Sequence, residues 1–218
     1  AYPNNVKDIL QHSKFAQNTL SFSGATDKYN YRISYGNTYE TGLVPNNELK
    51  RNSFSVNAGT SITDKLSVNT SINYINNRSE RTQAGNQGSN PLWRGIYAPR
   101  SYDLSGKPYK DELGNQLWFA GEDHPYWAIE NVRYSDETNR MYGNLNLAYD
   151  FAEWLRADLR IGGDVFSTNS KGFDEKGIRS NGNTSSAGAG GVRDREIFSR
   201  DINSYLTVTG DRRLGENF

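Results

Sequence analysis

The sequence has no cysteine among its 218 residues and only two histidines, His12 and His124. The absence of cysteine excludes a disulfide framework, thiol catalysis and cysteine-ligated metals. With two histidines, a histidine-rich zinc site and a redundant set of catalytic bases are also excluded. No G-x-S-x-G, Walker A or H-E-x-x-H motif occurs. We therefore expect a protein that is not an enzyme and that uses no cofactor or metal.

An excess of basic residues and long apolar runs are also missing. The 25 Lys+Arg residues balance 25 Asp+Glu residues, which removes the electrostatic surface that nucleic-acid binding requires. No run approaches the roughly 18–20 apolar residues of a membrane-spanning helix, and the mean hydropathy is −0.83. Aromatic residues are abundant instead, with 14 Tyr, 9 Phe and 4 Trp. This composition is typical of β-proteins with one apolar face per strand, including those whose apolar face contacts lipid.

Side chains alternate between apolar and polar over much of the chain. Tyr29, Tyr31, Ile33 and Tyr35 fall at period two, with Asn30, Arg32 and Ser34 between them. The same pattern predicts strands of about 10–13 residues over residues 19–78 and 140–209. A short helix is predicted within residues 1–18, where Asn5 is the cap.

Between the strands, short and long connections alternate. The short turns are residues 26–28, 63–65, 150–154 and 210–215; the longer loops are 41–48, 79–139 and 168–195. An antiparallel up-and-down meander that spans a membrane has this arrangement, with tight turns on one side and long extracellular loops on the other. We therefore predict an all-β fold in which residues 1–218 form part of a large transmembrane β-barrel. A soluble extracellular β-module that binds carbohydrate remains the alternative.

Four charged residues share one face of the strand that begins near residue 155. They are Arg156, Asp158, Arg160 and Asp164. Charged side chains are costly in a dry core but are natural in a water-filled lumen. We predict that they line the lumen, either along a polar solute path or paired with one another across neighbouring strands.

The long loop carries a set of large aromatic residues: Trp93, Tyr97, Tyr102, Trp118, Tyr126 and Trp127. Exposed rings in a surface loop stack on sugars or pack against a partner protein. The same rings can instead form the loop's own small core. The set is a candidate ligand or partner contact, with both readings open. The neighbouring Glu122-Asp123-His124 is interpreted as a solvated loop rather than a metal site.

Several segments resemble the SusC/RagA type of TonB-dependent transporter, in that family's order. They are Asn18–Ser34 (NTLSFSGATDKYNYRIS), Glu40–Arg51 (ETGLVPNNELKR), His124–Trp127 (HPYW) and Tyr149–Leu155 (YDFAEWL). The matches are spread over most of residues 18–167.

The resemblance implies a bacterial outer-membrane protein with a 22-stranded barrel and an internal plug. Such a transporter imports glycan or peptide fragments together with a SusD-like surface lipoprotein, and it is driven through TonB. No plug or TonB-contacting segment is recognisable, so we expect a central fragment of the barrel, ending in Phe218 at a fragment boundary. Contact with TonB would use parts of the protein outside this sequence.

Overall fold

The computed structural model describes residues 1–86, 88–179 and 188–211. Seven strands form one antiparallel sheet in the order β1-β2-β3-β4-β5-β6-β7, so each strand pairs with its neighbours in sequence. The strands are β1 (Phe15–Ala25), β2 (Tyr29–Thr41), β3 (Glu48–Ser61), β4 (Leu66–Arg81), β5 (Val132–Ala152), β6 (Leu155–Asp174) and β7 (Gly191–Gly210). The helices are α1 (Asn5–Asp8), α2 (Pro91–Tyr97) and α3 (Pro125–Asn131). This architecture confirms the predicted all-β meander.

The alternation of apolar and polar residues fixes the two faces of the sheet. One row across the apolar face consists of Phe22, Ile33, Val56, Ile72, Gly143, Gly163 and Ile202. The adjacent row on the polar face consists of Ser21, Ser34, Ser55, Asn73, Tyr142, Asp164 and Asp201. The apolar side chains remain exposed; Phe22 has 63% and Ile202 71% of its surface accessible. The sheet therefore presents an uncovered apolar surface.

Two tight turns at one end of the sheet have the same construction. Thr26 Oγ1 accepts hydrogen bonds from the backbone N–H groups of Lys28 (3.3 Å) and Tyr29 (3.2 Å). Thr63 Oγ1 likewise accepts from Lys65 (3.2 Å) and Leu66 (3.0 Å). In both turns of the repeated Thr-Asp-Lys sequence, the threonine hydroxyl thus accepts hydrogen bonds from backbone N–H groups of the turn.

The strands extend further toward the loop end than the alternation predicts. β5 begins at Val132, inside the predicted loop 79–139, while β6 continues to Asp174 and β7 begins at Gly191, inside the predicted loop 168–195. Both faces are polar in these extensions, so the period-two pattern disappears, whereas backbone pairing does not depend on side-chain polarity. At the other end of the chain β1 begins at Phe15, and the predicted helix in 1–18 is the single turn α1.

The segments at the loop end pack together into what we call the loop assembly: residues 1–14, 42–47, 82–131 and 175–179, without Gln87. One apolar cluster contains Ile9, Val44, Ala98, Leu104 and Ile129. A second contains Trp127, Val132 and Ile178 and packs against Tyr109 and Tyr134. Because Val132 and Tyr134 lie on the polar face of β5, the second cluster rests on the polar side of the sheet.

No helix in the described ranges has the length and apolar character needed to cross a lipid bilayer. The predicted turn 210–215 extends past residue 211, and Phe218 with residues 212–217 lies outside the described part of the chain.

Candidate functional site

The four charged residues predicted to line a lumen all lie on the polar face of β6. The Arg156 Nε donates to Asp158 Oδ2 at 3.0 Å, and the Arg156 guanidinium also reaches Asp150 on β5 at 3.6 Å. Asp164 forms a two-point ion pair with Arg140 on β5, with the Nε–Oδ1 hydrogen bond at 2.9 Å. These pairs are exposed to solvent, so they are screened and contribute little to stability. Their geometry makes the polar face a charged, hydrated surface.

Arg160 differs from these arginines in its partner. Its Nε donates to the side-chain oxygen of Asn146 on β5 at 2.8 Å. An amide oxygen orients the guanidinium but leaves its charge uncompensated.

The candidate aromatic set divides into exposed and buried members. Tyr97 on α2 is 64% exposed and lies 4.9 Å from the Trp93 ring, measured between ring centroids. Tyr102 and Trp118 meet edge-to-face at 5.1 Å and pack with Tyr126 against the first apolar cluster. Trp127 is 1% exposed and lies in the second cluster. Trp127 therefore belongs to the loop's own core, whereas Tyr97 is the exposed member of the predicted set.

Two capped helices position these rings. The Asn90 side chain accepts from the N–H groups of Leu92 (3.0 Å) and Trp93 (3.3 Å) at the start of α2, where Pro91 is the first residue. His124 Nδ1 accepts from the Tyr126 N–H at 3.2 Å at the start of α3, where Pro125 is the first residue. Asparagine followed by proline is a sequence signature of a helix start, and it would have located α2 within the predicted loop.

A buried carboxylate connects the two long loops. Asp123 accepts hydrogen bonds from Ser89 Oγ (2.5 Å), Gln116 Nε2 (2.5 Å) and the Arg179 backbone N–H (2.8 Å). The Arg179 guanidinium donates in turn to three backbone carbonyls, those of Gln116, Trp118 and Ala120. The interpretation of 122–124 as a solvated loop is therefore wrong for Asp123 and His124, which are fully buried. Hydrogen bonds from distant segments compensate the burial of this polar side chain.

Several titratable groups of the loop assembly have shifted pKa values. Burial lowers the pKa of His124 to about 4, so the imidazole is neutral. Burial, together with a hydrogen bond to Glu130 (2.6 Å), raises the pKa of Tyr109 to about 12. Burial alone would raise the pKa of Glu130, but hydrogen bonds from Lys110 and Tyr109 lower it. Within the described residues, no three His, Asp or Glu side chains are grouped as metal ligands.

The arrangement as a whole defines a class of structure: a sheet with an exposed apolar face, a polar face and a folded loop assembly at one end. No family model and no curated protein matches the sequence. Solved structures do match. The RagAB peptide importer in its open-open state aligns with 98% of this chain at a TM-score of 0.74 and 19% identity. The closed-closed state aligns with 99% at 0.76 and 19% identity, and a RagAB peptide transporter aligns with 97% at 0.73 and 18% identity.

These matches show a shared fold. The chain spans 24% of the length of each matched chain. At the level of fold, the chain is similar to part of the RagAB importer, in agreement with the predicted all-β meander and the resemblance to SusC/RagA-type transporters.

Proposed function

We propose that this chain is a segment of the barrel wall of a TonB-dependent transporter in the bacterial outer membrane. The observation that carries the proposal is the exposed apolar face of a sheet whose fold matches part of a transporter chain. Solute import is a transport process in which this chain makes and breaks no covalent bond.

The apolar face has the dimensions of a lipid-facing band. On β5 its members run from Tyr149 through Leu147, Leu145 and Gly143 to Met141, and the next residues on that face are Asn139 and Glu137. Eight residue steps span about 27 Å along a strand, or roughly 20 Å along the membrane normal at a barrel strand's tilt. This height approaches the apolar band of outer-membrane barrels, about 25 Å.

Tyrosines and asparagines mark the loop-side edge of this band. The Tyr35 hydroxyl donates to Asn52 Oδ1 at 2.8 Å, and the Tyr74 hydroxyl donates to Asn139 Oδ1 at 2.8 Å. Tyrosine rings collect at membrane interfaces because the ring is apolar and the hydroxyl requires a polar partner. The row Asn37, Asn52, Asn76 and Asn139 would lie at the level of the lipid headgroups.

The strands beyond this edge would stand outside the membrane. β5 has 21 residues and β6 has 20, whereas a tilted span needs about 9–11. The surplus carries the loop assembly away from the bilayer, where it would meet solute and partner. The solute is proposed to be a peptide or glycan fragment, and the partner a SusD-like lipoprotein. The matched protein is named the RagAB peptide importer, and this name supports a peptide as the solute of that protein.

The partner contact is proposed to use the exposed side chains around α2. Ile96 and Tyr97 are neighbours on α2 and are more than 60% exposed, and Phe119, which packs against Tyr102 and Trp118, is 60% exposed. Large apolar side chains at this exposure mark a protein contact when they are grouped.

The proposal is tested on the complete natural protein that contains this sequence. We expect it to fractionate with the outer membrane, to require detergent for extraction and to co-purify with a lipoprotein. Tyr97→Ala should weaken the co-purification, whereas Leu113→Ala, which also removes an exposed apolar side chain, should leave it unchanged. Recovery of the wild-type protein as a monodisperse species in detergent-free buffer would contradict the proposal and favour a soluble carbohydrate-binding module.

A further inference from the structure

The polar face contains an open pocket of about 460 Å³ between β5, β6 and β7. It is lined by Asn146, Asp158, Leu159, Arg160, Tyr205 and Thr207. The pocket lies on the turn-side half of the sheet, in the row where Arg160 faces Asn146 on β5 and Tyr205 on β7. A solute that crosses the barrel along this face would pass it.

Arg160 presents an oriented and uncompensated guanidinium to the pocket. Within the described part of the chain, its hydrogen bond runs from Nε to Asn146 Oδ1. A guanidinium has five N–H donors, so four remain for a ligand. Arg140 and Arg156, on the same face, are instead paired with the carboxylates of Asp164 and Asp158.

The remaining lining residues are compatible with a bound anion. Asp158 is the acidic residue of the pocket, and its carboxylate receives hydrogen bonds from Arg156 Nε (3.0 Å) and Nη2 (3.1 Å). This ion pair leaves Arg160 as the uncompensated charge of the pocket. Tyr205, 63% exposed, and Thr207 add two hydroxyl donors along the neighbouring strand.

We propose that this pocket binds a carboxylate group of the imported solute, with the Arg160 guanidinium as the principal contact. A planar guanidinium matches a carboxylate with two parallel hydrogen bonds, which a neutral amide cannot reproduce. Tyr205 and Thr207 donate to the carboxylate oxygens from the side. The inference rests on the proposed transport function and deepens it by assigning a chemical group to the solute.

The experiment measures binding to the complete transporter purified in detergent. The probes are two matched pairs: trialanine and its C-terminal amide, and glucuronate and glucose. A hydrogen bond to a charged group contributes enough to change affinity by roughly 10-fold or more. We expect the wild type to prefer the charged member of at least one pair by about that factor.

Variants of Arg160 test whether the preference for the charged probe arises in this pocket. Arg160→Gln should reduce the preference to about 1-fold, while Arg160→Lys should retain part of it because the charge remains and the two-point geometry is lost. Lys65→Gln removes one positive charge at a turn outside the pocket and should leave the preference unchanged. An unchanged preference in Arg160→Gln, or the absence of any preference in the wild type, would overturn the proposal.

A carboxylate from another part of the same protein is the competing occupant. In that case Arg160→Gln would lower the melting temperature of the ligand-free transporter, and the wild type would not distinguish the charged probes from the neutral ones; this result also overturns the proposal. None of these outcomes affects outer-membrane fractionation or lipoprotein co-purification. Failure of the pocket assignment is therefore distinguishable from failure of the transporter assignment.

Discussion

The sheet and the loop assembly place their apolar side chains in opposite ways. Among the described residues, eight of the ten buried apolar side chains lie outside the strands; the two within them are Val132 and Ala148. In the sheet, the large apolar residues are on the surface, as Phe22 and Ile202 show. The loop assembly thus has a buried apolar interior, whereas the sheet has an exposed apolar face, as the proposed contact with lipid requires. One chain of neutral net charge therefore carries two hydrophobic patterns, and an average over the sequence hides both.

The largest expected effect comes from emptying the loop core. Trp127→Ala should lower the stability of the loop assembly by about 3–5 kcal/mol, because a fully buried indole leaves a cavity. The loss also includes the hydrogen bond from Trp127 Nε1 to the Gly114 carbonyl (3.1 Å). Hydrogen exchange of residues 100–131 measures it. Tyr97→Ala removes an exposed ring and serves as the control; an equal effect from both variants would refute the assignment of Trp127 to a core.

The next effect tests the opposite pattern of the sheet. Ile72→Arg, on the apolar face of β4, should destabilise the membrane-inserted protein by about 2–4 kcal/mol if that face contacts lipid. Asn73→Arg places the same side chain one residue away on the polar face and should cost far less. Urea unfolding in lipid vesicles compares the two variants. Equal sensitivity at both positions would mean that the apolar face does not contact lipid.

A third prediction concerns the pH dependence of the loop assembly. The pKa of His124 is about 4 in the folded protein, whereas the ordinary histidine value of 6.5 applies in the unfolded chain. The unfolded state therefore binds more protons between these two pH values. The loop assembly should therefore be fully stabilised above pH 6.5 and lose up to about 3 kcal/mol as the pH falls to 4. Tryptophan fluorescence between pH 7 and 4 monitors this loss.

His124→Asn is the matched variant for that prediction. Asparagine is a favourable N-cap without a titratable group, so the variant should keep α3 and flatten the pH profile. A profile that stays the same as in the wild type would assign the titration to other residues.

The smallest effect contrasts two glycines that face each other on β5 and β6. A β-carbon at Gly143 would overlap the Ser71 carbonyl oxygen on β4, whereas at Gly163 the nearest atom, the Asp201 carbonyl oxygen, is 4.0 Å away. Gly143→Ala should destabilise the sheet by about 1–3 kcal/mol through overpacking. Gly163→Ala should be close to neutral. Folding yields and urea midpoints in vesicles compare the stabilities of the two variants. A lower stability for Gly163→Ala than for Gly143→Ala would contradict the close approach of β4 and β5.

The positions of most strands could be predicted from the sequence. In β2, β3 and β4 one face is apolar, so the predicted positions agree closely with Tyr29–Thr41, Glu48–Ser61 and Leu66–Arg81. The extensions 132–139 and 168–174 have two polar faces and therefore no period to detect.

The loop assembly was harder to predict from the sequence, because its contacts join residues that are far apart in the chain. The backbone N–H of Arg179 donates to Asp123, which lies 56 positions earlier in the chain. No local sequence pattern predicts such a bond. The buried state of Trp127 is equally non-local, since Ile178 covers it from another loop. The Asn90-Pro91 start of α2, by contrast, is a local feature that the sequence shows.

The register of the sheet also has a consequence for the order of assembly. Five of the six strand pairs close over short connections or, for β6 and β7, over residues 175–190, but β4 and β5 must meet across residues 82–131. Closing this loop costs about 2–3 kcal/mol more entropy than closing a three-residue turn. The four-stranded meander β1–β4 and the hairpin β5–β6 should therefore form early, and the pairing of β4 with β5 should be slow. Prior folding of the loop assembly would shorten the effective loop, so that formation of its buried core would accelerate the pairing of β4 with β5.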